Sequence, residues 1–211
     1  MTLWWLFAFC FGAYIIGCVS FSTILSKHVL KNDVTKLGSG NPGATNMLRN
    51  FGFKWGLGIF FLDMLKGAIP TLIAVLCFGG FNSDNGQIAM YACGLSAVVG
   101  HCFPLQTGFR GGKGVSTTIG VFLIINPWIA LLGFAIGLLI TIATDYVSIG
   151  SITFLTLCVL WEAFMNTPTV AVSSMLIAFY VLVMFMHRKN IKNLLSGTEK
   201  KVHLFKKKKK T

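Results

Sequence analysis

The chain has 211 residues, 55 % of them hydrophobic and only 11 % charged, whereas a soluble domain carries about a quarter charged residues. Uncharged runs of about twenty residues make it a polytopic α-helical membrane protein; the runs are continuous rather than alternating, which argues against a spanning β-barrel. The net charge of +12 would suit a nucleic-acid partner if it formed one patch, but all except one of the 18 Lys and Arg residues lie in three connecting or terminal segments. These are Lys27, Lys31, Lys36, Arg49 and Lys54; then Arg110 and Lys113; then Arg188, Lys189, Lys192, Lys200, Lys201 and the lysines at 206–210. Such clustering is the positive-inside pattern. All three segments are therefore expected to face the cytoplasm, and no nucleic acid is implied. The exception, Lys66, lies inside an apolar run.

In chain order, the first span is expected at residues 3–25, with Trp4 and Trp5 as an interfacial aromatic belt and the N-terminus outside. No basic segment precedes it and no small-residue cleavage site follows, so it reads as a retained span rather than a signal peptide. A cytoplasmic loop at 26–54 leads to the second span, 55–78, and to a polar outer turn, 79–86, that has no Lys or Arg. The third span, 87–106, carries His101 and Pro104 near its end.

Residues 115–187 begin and end on the basic side, so parity requires an even number of spans, and length favours four. Breaks at Asn126-Pro127, Thr144-Asp145-Tyr146 and Asn166-Thr167-Pro168 divide them into 115–125, 128–144, 148–165 and 169–187. The fourth is short: at the helical rise it reaches roughly 17 Å, about half the hydrocarbon core. Either it begins within the preceding glycine loop or the bilayer thins there. The expected fold is thus all-α, a seven-helix membrane bundle with the C-terminus inside. One domain covers 1–205, followed by a polylysine tail at 206–211, each lysine of which gains about 1 kcal/mol beside an anionic leaflet.

The six cysteines form no CxxC pair and read as buried thiols rather than a metal site, although a bridge between Cys77 and Cys93 stays open. No metal or cofactor is called for. Glu162, beside Trp161 near the outer interface, reads as a snorkelling surface residue.

Three polar constellations share the cytoplasmic side. The first, GSGNPGATNMLRN at 38–50, combines glycines that permit positive φ with hydroxyls, amides and an arginine, the composition of an anion-binding nest. The second, GHCFPLQTGFRGGKGVST at 100–117, again joins glycines to Arg110 and Lys113. The third is HRKNIKNLLSGTEKK at 187–201. Any one could be a basic connector; two glycine-and-cation loops together point to two anionic groups, or to one anion gripped from both sides. Intramembrane ionisable groups are functional candidates. Asp63 and Lys66 share a helix face at i, i+3 and form either a structural ion pair or, through Lys66, a phosphate ligand.

Look-alike motifs fail on context. Residues 38–43 match G-x-G-x-x-G, but no βαβ unit surrounds them; 108–113 resemble a P-loop one residue too short, with Gly114 where a Ser or Thr would hold magnesium. His28 and Asp33 fit an H-x₄-D spacing, as a coincidence would.

Taken together, SGNPGATN with Arg49, GH-x-FP followed by FRGGKG, and H-x-x-N followed by G-x-E resemble the bacterial acyl-phosphate:glycerol-3-phosphate acyltransferase family. Asp63-x-x-Lys66-Gly67 and Tyr146-Val147-Ser148 extend the resemblance over nearly the whole chain. Three departures stand out: Asn193 replaces the usual Arg, residues 18–21 lack the proline often found there, and Asp145 stands where relatives often carry a basic residue.

The resemblance implies acyl transfer from acyl phosphate to the primary hydroxyl of glycerol 3-phosphate, giving lysophosphatidate and phosphate, the first step of phospholipid synthesis. It further implies a multi-pass protein of the bacterial plasma membrane whose site faces the cytoplasm and whose partners are the two substrates and membrane lipids. Carried onto this sequence, Ser39, Asn41, Thr45 and Arg49, with Gly40 and Asn46 beside them, bind one phosphate. Arg110, Lys113 and the Gly111-Gly112 backbone hold the other or stabilise the leaving phosphate, and Lys66 is a further candidate ligand. His101 orients the nucleophile, Asn190 and Glu199 complete the glycerol phosphate pocket or support the residues that line it, and the proton acceptor is His101, His187 or a substrate phosphate. The alternative is a transporter of a phosphorylated metabolite, which would use the same cations but requires polar residues reaching the outer face.

Overall fold

The computed structural model describes residues 2–166 and 168–202, and among these every regular element is helical. Ten α-helices follow one another: α1 (Leu3–Cys18), α2 (Phe21–His28), α3 (Ala44–Phe51), α4 (Phe53–Cys77), α5 (Asp84–Cys102), α6 (Val115–Ile125), α7 (Pro127–Thr144), α8 (Val147–Met165), α9 (Val170–Met186) and α10 (Arg188–Leu195). Five segments are long and apolar enough to cross a bilayer, with α1 and α2 taken as one, or six if α9 and the α10 bent 55° from it form one span. The apolar α6 is shorter, at 11 residues. The expected polylysine tail and Thr167 lie outside the described residues.

The first apolar stretch is not one straight helix. Val19 and Ser20 break it, Val19 adopting an extended conformation. A break inside an apolar bundle frees a carbonyl that must find a donor. Lys66 of α4 supplies it, donating to the Val19 carbonyl at 2.8 Å while pairing with Asp63 at 3.0 Å.

Between the helices, small residues let backbones touch, as in membrane bundles generally. A Cβ on Gly120 of α6 would lie 1.9 Å from the Met64 carbonyl oxygen of α4, and one on Gly67 2.2 Å from that of Thr117. These contacts fix the depth of α6. Its first turn is level with residues 63–67, about ten residues into α4 and thus roughly 15 Å from that helix's start. Its length therefore follows from a late start, and the loop before it is sunk into the bundle. Gly114, at φ 83°, turns the chain into α6; Asn126 caps α7, accepting from Ile129 N, with Pro127 in the first turn.

The main core gathers α5, α6, α8 and α9. Phe122 meets Phe154 and Phe179 edge-on, at centroid distances of 6.4 and 5.8 Å, beside Val98, Val121 and Leu176. At the end of the bundle away from the glycine loops, Glu162 is 3 % exposed. It is not a snorkelling surface residue: its carboxylate accepts from Tyr91 Oη (2.8 Å), Asn126 Nδ2 (3.0 Å) and Asn166 Nδ2 (2.7 Å), tying α5, the α6–α7 turn and the end of α8. A buried carboxylate is tolerable only when its oxygens are satisfied in this way. The six cysteines are free; Cys93 lies 3.7 Å from Cys10 across the α1–α5 interface and is not bridged to Cys77.

Gly120→Val should destabilise the protein by about 3 kcal/mol, because the collision is with backbone and not with a side chain that can swing away. Gly12→Val, at a position with nothing within 4 Å, should stay within about 0.5 kcal/mol. Thermal unfolding of the two variants in detergent checks the difference.

Candidate active site

The first glycine-rich loop is organised around Asn46, which is 2 % exposed on α3. Its Nδ2 donates to the carbonyls of Val34 (3.1 Å) and Leu37 (3.0 Å), and its Oδ1 accepts from Ser39 N (3.1 Å) and Asn50 Nδ2 (3.0 Å). That uses the amide's full donor and acceptor capacity. Asn46 therefore shapes the loop and has nothing left for a ligand. Gly38, at φ 59°, runs so close that a Cβ there would meet Asn46 Oδ1 at 2.4 Å. Ser22 of α2 fastens the loop by donating to the Pro42 carbonyl at 2.8 Å. The result turns Ser39, Asn41, Thr45 and Arg49 toward one cavity of about 730 Å³.

The second loop works differently from the expectation that its glycines present N–H groups to an anion. Gly111 N donates to the Cys102 carbonyl (3.1 Å) and Gly112 N to the His101 carbonyl (3.0 Å). The glycines are needed for proximity: Cβ atoms there would lie 2.1 Å from the His101 oxygen and 2.0 Å from its Nε2. Arg110 is exposed and does not line the cavity, nor do Gly40, Gly111, Gly112 or Lys66. Lys113 and His101 do line it. Lys113 makes no hydrogen bond or ion pair among the described residues. His101 is buried, with Nδ1 3.7 Å from Asp63 Oδ1 and no hydrogen-bond partner on that nitrogen.

The third constellation supplies the remaining wall. His187, at the α9–α10 corner, is 1 % exposed and donates Nδ1–H to the Val183 carbonyl at 2.8 Å, which leaves Nε2 as the accepting nitrogen. Glu199 is gripped by Asn190 Nδ2 (2.5 Å), Ser148 Oγ (3.0 Å) and Asn193 Nδ2 (3.3 Å). A carboxylate makes a poor phosphate ligand but a good counter-charge. Burial pushes the Lys113 ammonium down to about 8, with Glu199 opposing that shift and Arg49 adding to it. Burial also lowers Arg49, again opposed by Glu199. Arg49 Nη2 donates to the Lys200 carbonyl at 2.6 Å, while its Nε is buried without a partner.

Below these polar groups the same cavity becomes apolar, lined by Leu57 and Phe60 of α4, Phe134 and Leu138 of α7 and Phe154 of α8. A cationic head joined to an apolar cleft fits an amphiphile with a phosphate at one end.

The glycerol-3-phosphate acyltransferase family profile matches residues 7–197. The chain belongs to this family. Among its relatives is a glycerol-3-phosphate acyltransferase of Thermoanaerobacter pseudethanolicus, 43 % identical over 191 residues, covering 90 % of this chain and 92 % of the relative. One of Halalkalibacterium halodurans is 41 % identical, covering 96 % and 97 %, and one of Aquifex aeolicus is 42 % identical, covering 89 % and 94 %. Among solved structures, the glycerol 3-phosphate form of PlsY (YgiH), an integral membrane glycerol 3-phosphate acyltransferase, superposes with a TM-score of 0.85. It is 39 % identical, covering 93 % of this chain and 94 % of that one. The lysophosphatidic acid form of PlsY gives 0.82 at 40 % identity. The transporter reading has no support among these findings.

In this acyltransferase, Ser148, Asn193 and Lys200 also line the cavity, and sequence reasoning did not place them there. Ser148 carried a signal, the Tyr146-Val147-Ser148 segment shared with the family. Asn193 donates to Glu199 as a neutral amide. His28 and Asp33 form no pair: Asp33 accepts from Thr35 Oγ1 and N and pairs with Lys27 at 3.2 Å, and these contacts, the Thr35 hydroxyl first, hold its carboxyl low against the opposing effect of burial.

The counter-charge role of Glu199 has a direct test. Amine labelling of Lys113 followed by mass spectrometry across pH should show a midpoint of about 8. Glu199→Gln removes the group that favours the ammonium form, so the midpoint should move to lower pH.

Proposed function

We propose that the chain transfers an acyl group from acyl phosphate to the primary hydroxyl of glycerol 3-phosphate, releasing lysophosphatidate and inorganic phosphate. The observation that carries this reading is the single cavity in which Arg49 and Lys113 face the polar end and Leu57, Phe60, Phe134 and Phe154 form the apolar end. Both substrates carry phosphate, one carries an acyl chain, and only a site of both characters accommodates them side by side. The names of the relatives supply the acceptor; the acyl phosphate donor comes from the motif resemblance.

In this reading, Ser39, Asn41, Thr45 and Arg49 bind one phosphate and Lys113 neutralises the other. His187 Nε2 accepts a hydrogen bond from the glycerol hydroxyl and orients it. His101 is less well placed, because Gly112 packs against its Nε2. The hydroxyl oxygen bonds to the acyl carbon, the acyl carbon–oxygen bond to phosphate breaks, and the departing phosphate takes the hydroxyl proton, its second pKa lying near neutrality. The donor is already an activated mixed anhydride, so positioning and charge neutralisation supply the rate and no covalent enzyme intermediate is needed.

The basic loops and the site then face the cytoplasm of a bacterial plasma membrane, with seven spans, the N-terminus outside and the short α6 among the spans.

Purified protein in detergent, given glycerol 3-phosphate with acyl phosphate, acyl-CoA or acyl-carrier protein in turn, should form lysophosphatidate from acyl phosphate. Lys113→Ala should lower kcat by about 10²- to 10³-fold, the usual effect of removing one stabilising donor. Product from acyl-CoA alone would sink the donor assignment.

A further inference from the structure

One group of contacts ties the segment after α10 to the site. Residues 199–202 leave α10 and cross the mouth of the cavity as a strap fastened at three places. Glu199 is held by Ser148, Asn190 and Asn193. Lys200 joins the first glycine-rich loop twice, its carbonyl accepting from Arg49 Nη2 at 2.6 Å and its Nζ donating to the Gly38 carbonyl at 3.2 Å. Beyond it, Lys201 Nζ lies 5.4 Å from the centre of the Tyr146 ring, and Val202 N donates to the Asp145 carbonyl at 2.9 Å. The strap thus connects the first loop, the α7–α8 turn and α10.

We propose that Lys200 is a further substrate-binding residue, a cation carried on this strap, and that a substrate phosphate holds the strap shut.

The contact that Arg49 makes leaves a donor open. Nη2 fastens the strap, while Nε is buried with no partner and Arg49 lines the cavity. A buried donor left unmade is costly, and a phosphate seated against Arg49 removes that cost. Such a phosphate lies beside Ser39, next to the Gly38 carbonyl that Lys200 Nζ now contacts. Lys200 also lines the cavity and is solvent-exposed, so its ammonium is free to swing. A phosphate oxygen is a stronger acceptor for an ammonium than a neutral carbonyl at 3.2 Å. Lys200 then exchanges one for the other with little backbone movement. Because Arg49 touches the strap, Lys200 belongs to it and both reach the ligand, ligand affinity and strap closure are coupled, and the coupling is reciprocal.

This inference rests on the cavity binding a phosphate substrate, but not on which acyl donor is used. The test is therefore binding first. Hydrogen exchange of the peptide containing residues 199–202 is followed in the full-length protein with glycerol 3-phosphate alone, and separately with a non-hydrolysable acyl phosphonate. Slowed exchange with either supports strap closure and identifies the phosphate that causes it. No slowing with either overturns it. In turnover, Lys200→Gln should raise KM for the protecting substrate about tenfold, with kcat changed less and Lys200→Arg restoring most of the loss. An unchanged KM in Lys200→Gln overturns the binding role. Strap protection by glycerol 3-phosphate without lysophosphatidate formation from any acyl phosphate would support the strap while refuting the donor reading.

Discussion

The backbone contact between α4 and α6 is the constraint on which the rest of the site depends. Gly67 and Gly120 bring the two chains within a distance that no side chain would permit, and in doing so they fix how deep α6 begins. The loop that ends at Gly114 must then descend to meet it, taking Lys113 below the mouth of the bundle. His101 and Asp63 line the same cavity, Gly112 packs on the His101 ring, and Arg49 reaches it from α3. A longer α6 would raise Lys113 to the surface, where an ammonium is solvated and its attraction for an anion is screened.

Charge in this recess is tempered as well as accumulated. Arg49, Lys113, Arg188, Lys189 and Lys200 all line the cavity, and Glu199 is a carboxylate held among them by three neutral donors. Asn193 belongs to this arrangement. An amide at that position orients Glu199 without adding another cation, so the counter-charge stays available to Arg49 and Lys113. The other buried cation, Lys66, is spent elsewhere, on Asp63 and on the Val19 carbonyl exposed by the break between α1 and α2.

Much of this was legible in the chain. The basic clusters separated the loops from the spans, and the Asn126-Pro127 and Thr144-Asp145-Tyr146 breaks located the ends of α6, α7 and α8 closely, because caps and prolines act locally. The motif residues Ser39, Asn41, Thr45, Arg49, His101, Lys113, His187, Asn190 and Glu199 do meet in one cavity. What sequence could not supply was the division of labour, which depends on distances between segments far apart in the chain. Asn46 looks like a ligand until its four bonds within the loop are seen. Gly111 and Gly112 look like an anion nest, yet their N–H groups are committed to Cys102 and His101. Glu162 looks superficial because its three donors come from positions 91, 126 and 166, and the break at Val19 has no proline to announce it.

The sunken start of α6 also bears on how a product leaves. In an acyltransferase of this shape the new ester forms below the mouth of the bundle. A phosphate at that depth is dehydrated and tolerated only while cations surround it. Once the donor's leaving group has departed, hydration pulls the remaining headgroup outward and the acyl chain slides along the apolar cleft in the same direction. The depth that concentrates the reactants thus makes departure of the lipid product a climb toward water, driven by solvation and without need of a separate motor.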